Sequence, residues 1–390
     1  MNLNLAQQPR THKHTHQNSR AAAATLATLL VCAQLSCGGG SSNSGGGGTP
    51  QRTFTTIDAP GAGTVSGTLQ GTYAVDLNAS GDAAGYYVDS NGEDHGFIYS
   101  ASGAITTVDV PEAGNLGTGI LGIDTAGDTT GFYVDSQDIQ HSFFRSAGGA
   151  ITTFDPPNTI GSGAQSLNDS GTVAGGFIDA NGAHGYLRTQ DGTFTIFDPT
   201  GTPAQIQIVI PYQINASGAV AGTYIDTGGV YHGFYRDPSG NITVLNAPGA
   251  GTAATEGTEV IGINASGTII GGIAIGNVNG VFGASHSFIL TTDGTYNVFD
   301  PPQATAHSSI CRGLNDSGTV AGIYRDSNLV RHGYLLTPSG AFTSFDDPQA
   351  PQVPVTDETP GTETERINAS GGIVGWYADS SGVRHGFLWQ

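Results

Sequence analysis

Three observations predict an all-β chain built as a ring of seven four-stranded antiparallel blades. A marker, His-(Gly/Ser)-(Phe/Tyr), occurs at His95, His141, His184, His232, His286, His332 and His385. A turn, Asn-x-Ser-Gly or a close variant, begins at Asn78, Asp124, Asn168, Asn215, Asn264, Asn315 and Asn368. A third motif, Thr-x-x-Asp-x-Pro or a variant, has its acid at Asp58, Asp109, Asp155, Asp198, Asp300 and Asp346, with Asn246 as the amide exception.

Within the first unit, short β-branched and aromatic stretches at roughly 72–77, 83–89, 94–100 and 104–109 are separated by Asn-Ala-Ser-Gly, Asp-Ser-Asn-Gly and Ala-Ser-Gly. Those are hairpin turns, and no helical period interrupts them. Four hairpin-linked strands recurring every ~48 residues are the pattern of a β-propeller blade. A sandwich accommodates short strands too, but not seven near-identical units.

The order of the motifs predicts how the ring closes. The repeat region opens on a lone fourth-strand motif, Phe54-Thr-Thr-Ile-Asp58-Ala-Pro60, and ends after a third strand, His385-Gly-Phe-Leu-Trp-Gln390. Pairing 54–58 into the last blade supplies its missing strand and removes an exposed edge.

Upstream of the repeats, residues 21–35 form an apolar run after three bases, Arg10, Lys13 and Arg20. The run is short for a bilayer span and suits a signal-peptide core. Residues 1–36 are therefore expected to be a lipoprotein-type signal peptide, with Cys37 lipidated. Residues 37–50 follow as a Gly/Ser-rich tether, and 51–390 form the propeller. Ser36 fits a lipobox, whereas Gln34 and Leu35 depart from one, so secretion after cleavage near Ala33 is the alternative. The predicted location is the outer membrane or cell surface.

The chain carries 12 Lys+Arg against 32 Asp+Glu, and no lysine follows Lys13. Nucleic acid and anionic lipid need a basic footprint that this chain lacks. A membrane contact is expected only through the lipid, and the protein is expected to be a monomer. With Cys37 and Cys311 alone after the leader there is no disulfide framework, and Cys311 reads as a small buried core residue.

The marker His lies 14 residues before the fourth-strand acid or Asn246 in all six within-chain cases. The midpoint falls on the intervening turn, so the two should face each other across the hairpin. His385 would meet Asp58 across the closure. The same arithmetic about Gly92 places Asp89 opposite His95, and Asp135, Asp326 and Asp379 opposite His141, His332 and His385. These Asp–His–Asp rows read as structural devices that orient the imidazole and fix register. Sevenfold use argues against catalysis, so no catalytic, metal or cofactor-binding residue is assigned. The stretch 89–94 resembles part of a calcium loop but lacks its final glutamate and reads as a turn. Calcium is the one cofactor the sequence leaves open. Gly-x-Gly strings such as Gly61-Ala-Gly63 precede no helix and are turns, not nucleotide loops.

Length varies in the connections after the fourth strand and, once, after the second strand, between Asn264 and His286. Both connection types fall on one face of the disk. Loops on a rigid scaffold carry function, so this is the candidate ligand face. Its non-repeated residues include Tyr73, Tyr212, Glu256, Glu259, His307, Arg312, Glu363 and Arg366.

On the His-Gly-Phe and Asn-x-Ser-Gly markers, residues 54–390 resemble the HAF-repeat family of bacterial extracellular repeat proteins, named for a His-Ala-Phe motif. This chain has Gly or Ser in the middle place, and Tyr in the third at Tyr186 and Tyr334. The resemblance implies an exported repeat protein and transfers no catalytic residue. The expected function is non-enzymatic binding of a glycan or protein at the loop face. An extracellular polysaccharide-active hydrolase or lyase is the alternative, and a structural surface scaffold the second.

Overall fold

A computed structural model describes residues 52–390, apart from 67, 277–284, 306–307 and 353–360. The signal peptide, the tether with Cys37, and His307 lie outside the described residues. Among those described, the protein is all-β, with a single 3₁₀ turn at Pro203–Gln205. The first unit places strands at Gly71–Leu77, Ala83–Val88, Asp94–Tyr99 and Ile105–Val108, and this antiparallel order recurs along the chain. First strands are largely buried, as at Thr118–Ile123, while fourth strands such as Ile105–Val108 expose their middle residues. The first strand is therefore the inner one.

Inner strands neighbour each other in chain order, and Gly71–Leu77 also neighbours Thr362–Ile367 from the last unit. Phe54–Ile57 pairs antiparallel with Arg384–Trp389, from Phe54↔Trp389 to Ile57↔Gly386. The Phe54 ring lies 5.6 Å from that of Trp389, and the Arg52 guanidinium sits 4.7 Å over the same indole.

The markers are legible as packing. The third marker residue is fully buried between units at Phe97, Phe143, Phe234, Phe288 and Phe387. The middle residue must be small because the next layer lies against it: a Cβ on Gly233 would meet the Val260 side chain. Two units carry serine there instead. Ser142 Oγ is 2.8 Å from Tyr186 Oη, and Ser287 Oγ is 3.0 Å from Tyr334 Oη. Each serine thus partners the buried phenol of the following unit, as a buried hydroxyl requires.

The Asn-x-Ser-Gly turns do more than reverse the chain. Each Asn Oδ1 accepts from its own turn's backbone, as Asn368 Oδ1 does from Gly372 N–H at 2.8 Å. Each amide group donates onward to the neighbouring unit. Asn78 donates to the Asp124 carbonyl at 3.1 Å, Asn168 to Asn215 at 3.1 Å and Asn215 to Asn264 at 3.0 Å. Asn264 continues to Asn315 at 3.4 Å, Asn315 to Asn368 at 3.2 Å and Asn368 to Asn78 at 2.9 Å.

Inner strands also carry bulges. The register skips Val75, Leu121, Gln165, Ile261, Arg312 and Glu365, and the pair Pro211 and Tyr212. A bulge turns an extra side chain out of the ladder. Each unit's inner strand thus carries at least one residue outside the ladder.

Candidate functional site

The histidine rows come first. Nδ1 meets the fourth-strand group at 2.9 Å for His95–Asp109, 2.6 Å for His141–Asp155 and 2.6 Å for His184–Asp198. It is 2.9 Å for His232–Asn246, 2.7 Å for His286–Asp300, 2.9 Å for His332–Asp346 and 2.7 Å for His385–Asp58.

The other hairpin differs from expectation. His95 pairs with Tyr87 in the ladder, not with Asp89, and the two rings stack at 4.9 Å. Asp89 instead closes the turn, accepting from Asn91 N–H at 2.8 Å and Glu93 N–H at 2.9 Å. Its Oδ2, which also accepts from the Asn91 amide, lies 4.0 Å from His95 Nε2. Asp135, Asp326 and Asp379 stand likewise at 3.3, 3.7 and 3.5 Å from their histidines. The turn is tighter than a midpoint at Gly92 assumes, because the aspartate side chain replaces one rung of backbone pairing. Asp179 and Asp226 belong to the same set, at 3.0 and 3.3 Å from His184 and His232.

A different cluster stands outside the repeat. Arg312, on the bulge of Ser309–Leu314, donates from Nη2 to Glu363 Oε1 at 2.7 Å. Arg331 places Nη1 3.0 Å from Glu363 Oε2, and both guanidinium groups are largely buried. Trp376 donates its indole N–H to Glu365 Oε1 at 3.1 Å. The Arg331 and Arg384 guanidiniums lie 5.9 and 5.5 Å from the Trp376 ring, and Arg384 also lies 5.6 Å from Tyr73. Tyr73 stacks on Tyr86 at 4.9 Å and meets Trp376 edge-on at 5.5 Å.

The electrostatics are unusual for this chain. Burial pushes the Glu259 carboxyl up to about 7 against the pull of Arg312. Burial raises Glu365 as well, with Glu363 adding to the effect. Burial works against the charge on Arg312, yet Glu363, Glu365 and Glu259 hold it above its usual value. Burial, then the charge on Glu259, raises the Tyr212 phenol. Glu259, Tyr212 and Tyr86 keep partial solvent access although protein surrounds them closely. Close protein surroundings lower the local dielectric there, so desolvation strengthens each charge interaction.

Of the residues singled out from sequence, Tyr73, Tyr212, Glu259, Arg312 and Glu363 belong to this cluster. Arg366 lies beside it, with Nε 3.2 Å from Asp76 Oδ1. Glu256 does not: its carboxylate caps its own loop, accepting from Thr252 and Ala253 N–H at 3.0 Å each. Arg331, Glu365, Trp376, Tyr86 and Arg384 were missed. The signal for two of them was in plain view. The place before each marker His holds Asp94, Gln140, Ala183, Tyr231, Ser285, Arg331 and Arg384, the most variable place beside the motif. Cys311 is fully buried, and burial pushes its thiol up to about 11.

No protein family matches this sequence, and no curated protein does. Among solved structures the chain is similar to a catalytically inactive virginiamycin B lyase from Staphylococcus aureus with quinupristin, at TM-score 0.52 and 13% identity over 87% of this chain and 100% of that one. The selenomethionine form of the same lyase gives 0.51 and 14%, over 87% and 100%. A prolyl endopeptidase gives 0.50 and 13% over 81% of this chain, which spans 46% of that one. At such identities the likeness is one of fold, and that fold is the β-propeller.

Proposed function

We propose that the protein is an exported, lipid-anchored, seven-bladed propeller that binds a glycan at the inner end of its loop face without transforming it. Cys37 would carry the lipid and 37–50 would hold the domain clear of the membrane. Closure of the ring is supported by the Phe54–Ile57 pairing and by the Asn368–Asn78 hydrogen bond.

The observation that carries the binding reading is the cluster of Trp376, Tyr73 and Tyr86 with Arg312, Arg331, Arg384, Glu363 and Glu365. Aromatic faces beside fixed, charged hydrogen-bonding groups suit a sugar ring, which presents C–H faces and hydroxyl edges. None of these groups recurs in every unit, so the arrangement is not needed to build blades. A protein partner would meet the same face.

One observation favours the enzymatic alternative. Burial pushes the Glu259 carboxyl up to about 7, the range in which a carboxyl can serve as a general acid at neutral pH.

Thermal melts and tryptophan fluorescence against neutral and acidic oligosaccharides test the proposal. A binding sugar at a hundredfold excess over its Kd should add about 2.7 kcal/mol of stability, and Trp376→Ala should remove that gain. No response across the panel would overturn the glycan reading. Chain shortening that Glu259→Gln abolishes would establish the enzyme instead.

A further inference from the structure

The first blade departs from its sisters at one position beside its histidine row. Four residues after the turn aspartate, four of the other blades carry Ile139, Val230, Val330 and Val383, and the first blade carries Glu93. In all five cases the backbone N–H at this position bonds the aspartate Oδ1, at 2.9 or 3.0 Å. The backbone is thus the same and only the side chain has changed, from apolar to carboxylate. Asp89, Glu93 and His95 each bring one ligand atom to a common place, all within 4.8 Å of one another.

The remaining geometry is that of a held ligand set. His95 Nδ1 is bonded to Asp109 at 2.9 Å, and the ring is stacked on Tyr87 at 4.9 Å, which leaves Nε2 directed at the two carboxylates. A histidine whose far nitrogen is fixed by a carboxylate is the usual outer support of a metal ligand. Asp89 Oδ1 is occupied by two backbone N–H groups, and Oδ2 takes only the Asn91 amide at 2.9 Å. Oδ2 keeps lone-pair capacity on the side facing His95. The sister rows close the Asp–His distance to between 3.0 and 3.7 Å, whereas here it stands open at 4.0 Å. The His332–Asp326 contact, at 3.7 Å, is also wider than a hydrogen bond, so what sets the first blade apart among the described rows is the third donor atom beside its histidine.

We propose that Asp89, Glu93 and His95 bind one first-row divalent cation of the zinc type. One imidazole nitrogen and two carboxylate oxygens suit such an ion, with a fourth position left for water. Calcium, which takes six to eight oxygens, fits the set poorly. The site is independent of the glycan reading, since it shares no residue with the cluster around Arg312 and Trp376.

Isothermal titration of the full chain with zinc chloride tests the proposal, set beside Glu93→Val, which installs the sister-blade residue. His12, His14 and His16 of the leader are present in both proteins, so the difference between them reads the blade site alone. The expected result is one equivalent fewer in the variant, or affinity at that site weakened more than ~10-fold, with the metal-free melt unchanged. Glu93→Gln, which keeps the side chain's size, should lose the same equivalent. Equal zinc binding in all three proteins would overturn the proposal. So would calcium displacing zinc at equal concentration, because the imidazole would then have no part in it.

Discussion

Asn368 donates its side-chain amide to the backbone carbonyl of Asn78 at 2.9 Å, although 290 residues separate them. Five similar bonds run in chain order between neighbouring turns, and this one joins the last unit to the first. A turn residue chosen locally for its Asx geometry is used a second time as a link between units. The one break in the series is Asp124, which has no amide to offer and is largely buried.

That break yields a prediction. Burial, foremost, raises the Asp124 carboxyl above its usual value. The folded state therefore disfavours the carboxylate, and the associated stability is lost as pH rises through the folded pKa. Asp124→Asn should restore the missing donor towards Asn168 and gain about 1 kcal/mol at neutral pH. Urea midpoints at pH 7 check this. Asn368→Asp, the reverse change where the last unit meets the first, should lower the midpoint. A loss in the first variant would mean that the amide cannot reach its neighbour.

Removing 52–58 should lower the melting temperature more than Asn368→Asp or Ser142→Gly. It strips the antiparallel partner from Arg384–Trp389 and leaves Trp389, Phe387 and the His385 ring without Phe54 and Asp58. An exposed strand edge should also promote association, visible by light scattering. An unchanged melt would remove the terminal strand from the account of stability.

The serine–tyrosine pairs should behave as couples. Ser142→Gly leaves the Tyr186 hydroxyl buried without that partner and should cost about 1–3 kcal/mol. Tyr186→Phe in the same chain should recover part of the loss, giving a coupling energy of about 1 kcal/mol in a double-mutant cycle. Additive effects would show that the 2.8 Å contact carries little.

The histidine rows set a pH window. The hydrogen bond to Asp58 raises His385 above its usual value. In His141 and His332 burial opposes the charge, but Asp155 and Asp346 outweigh it and the shift is again upward. Such groups contribute fully below ~6.5, and the contribution fades as pH climbs through the folded values. Asp135, Asp226 and Asp379 are shifted down: burial opposes, while turn N–H groups and the facing histidine favour the carboxylate. Their contribution is complete above ~3.9 and is lost as pH falls through the folded values. Thermal stability should therefore peak between about pH 4 and 6.5, and a melt series across pH 3–9 checks it. His385→Gln should flatten the alkaline side of that peak.

The sequence by itself determined the local grammar of this protein. Turn types, strand lengths and the His-to-Asp pairing follow from spacing, because a hairpin converts distance along the chain into distance across it. Even there the arithmetic failed where a side chain took part in the turn, and His95 faces Tyr87 instead of Asp89. Only the tertiary structure decided what meets between units. Arg312, Arg331 and Glu363 come from different strands, and no spacing rule joins them. Bulges on the inner strands then turned Arg312 and Glu365 towards a shared, poorly solvated centre. Their electrostatics arise from burial among neighbours distant in sequence, a property that no single unit possesses.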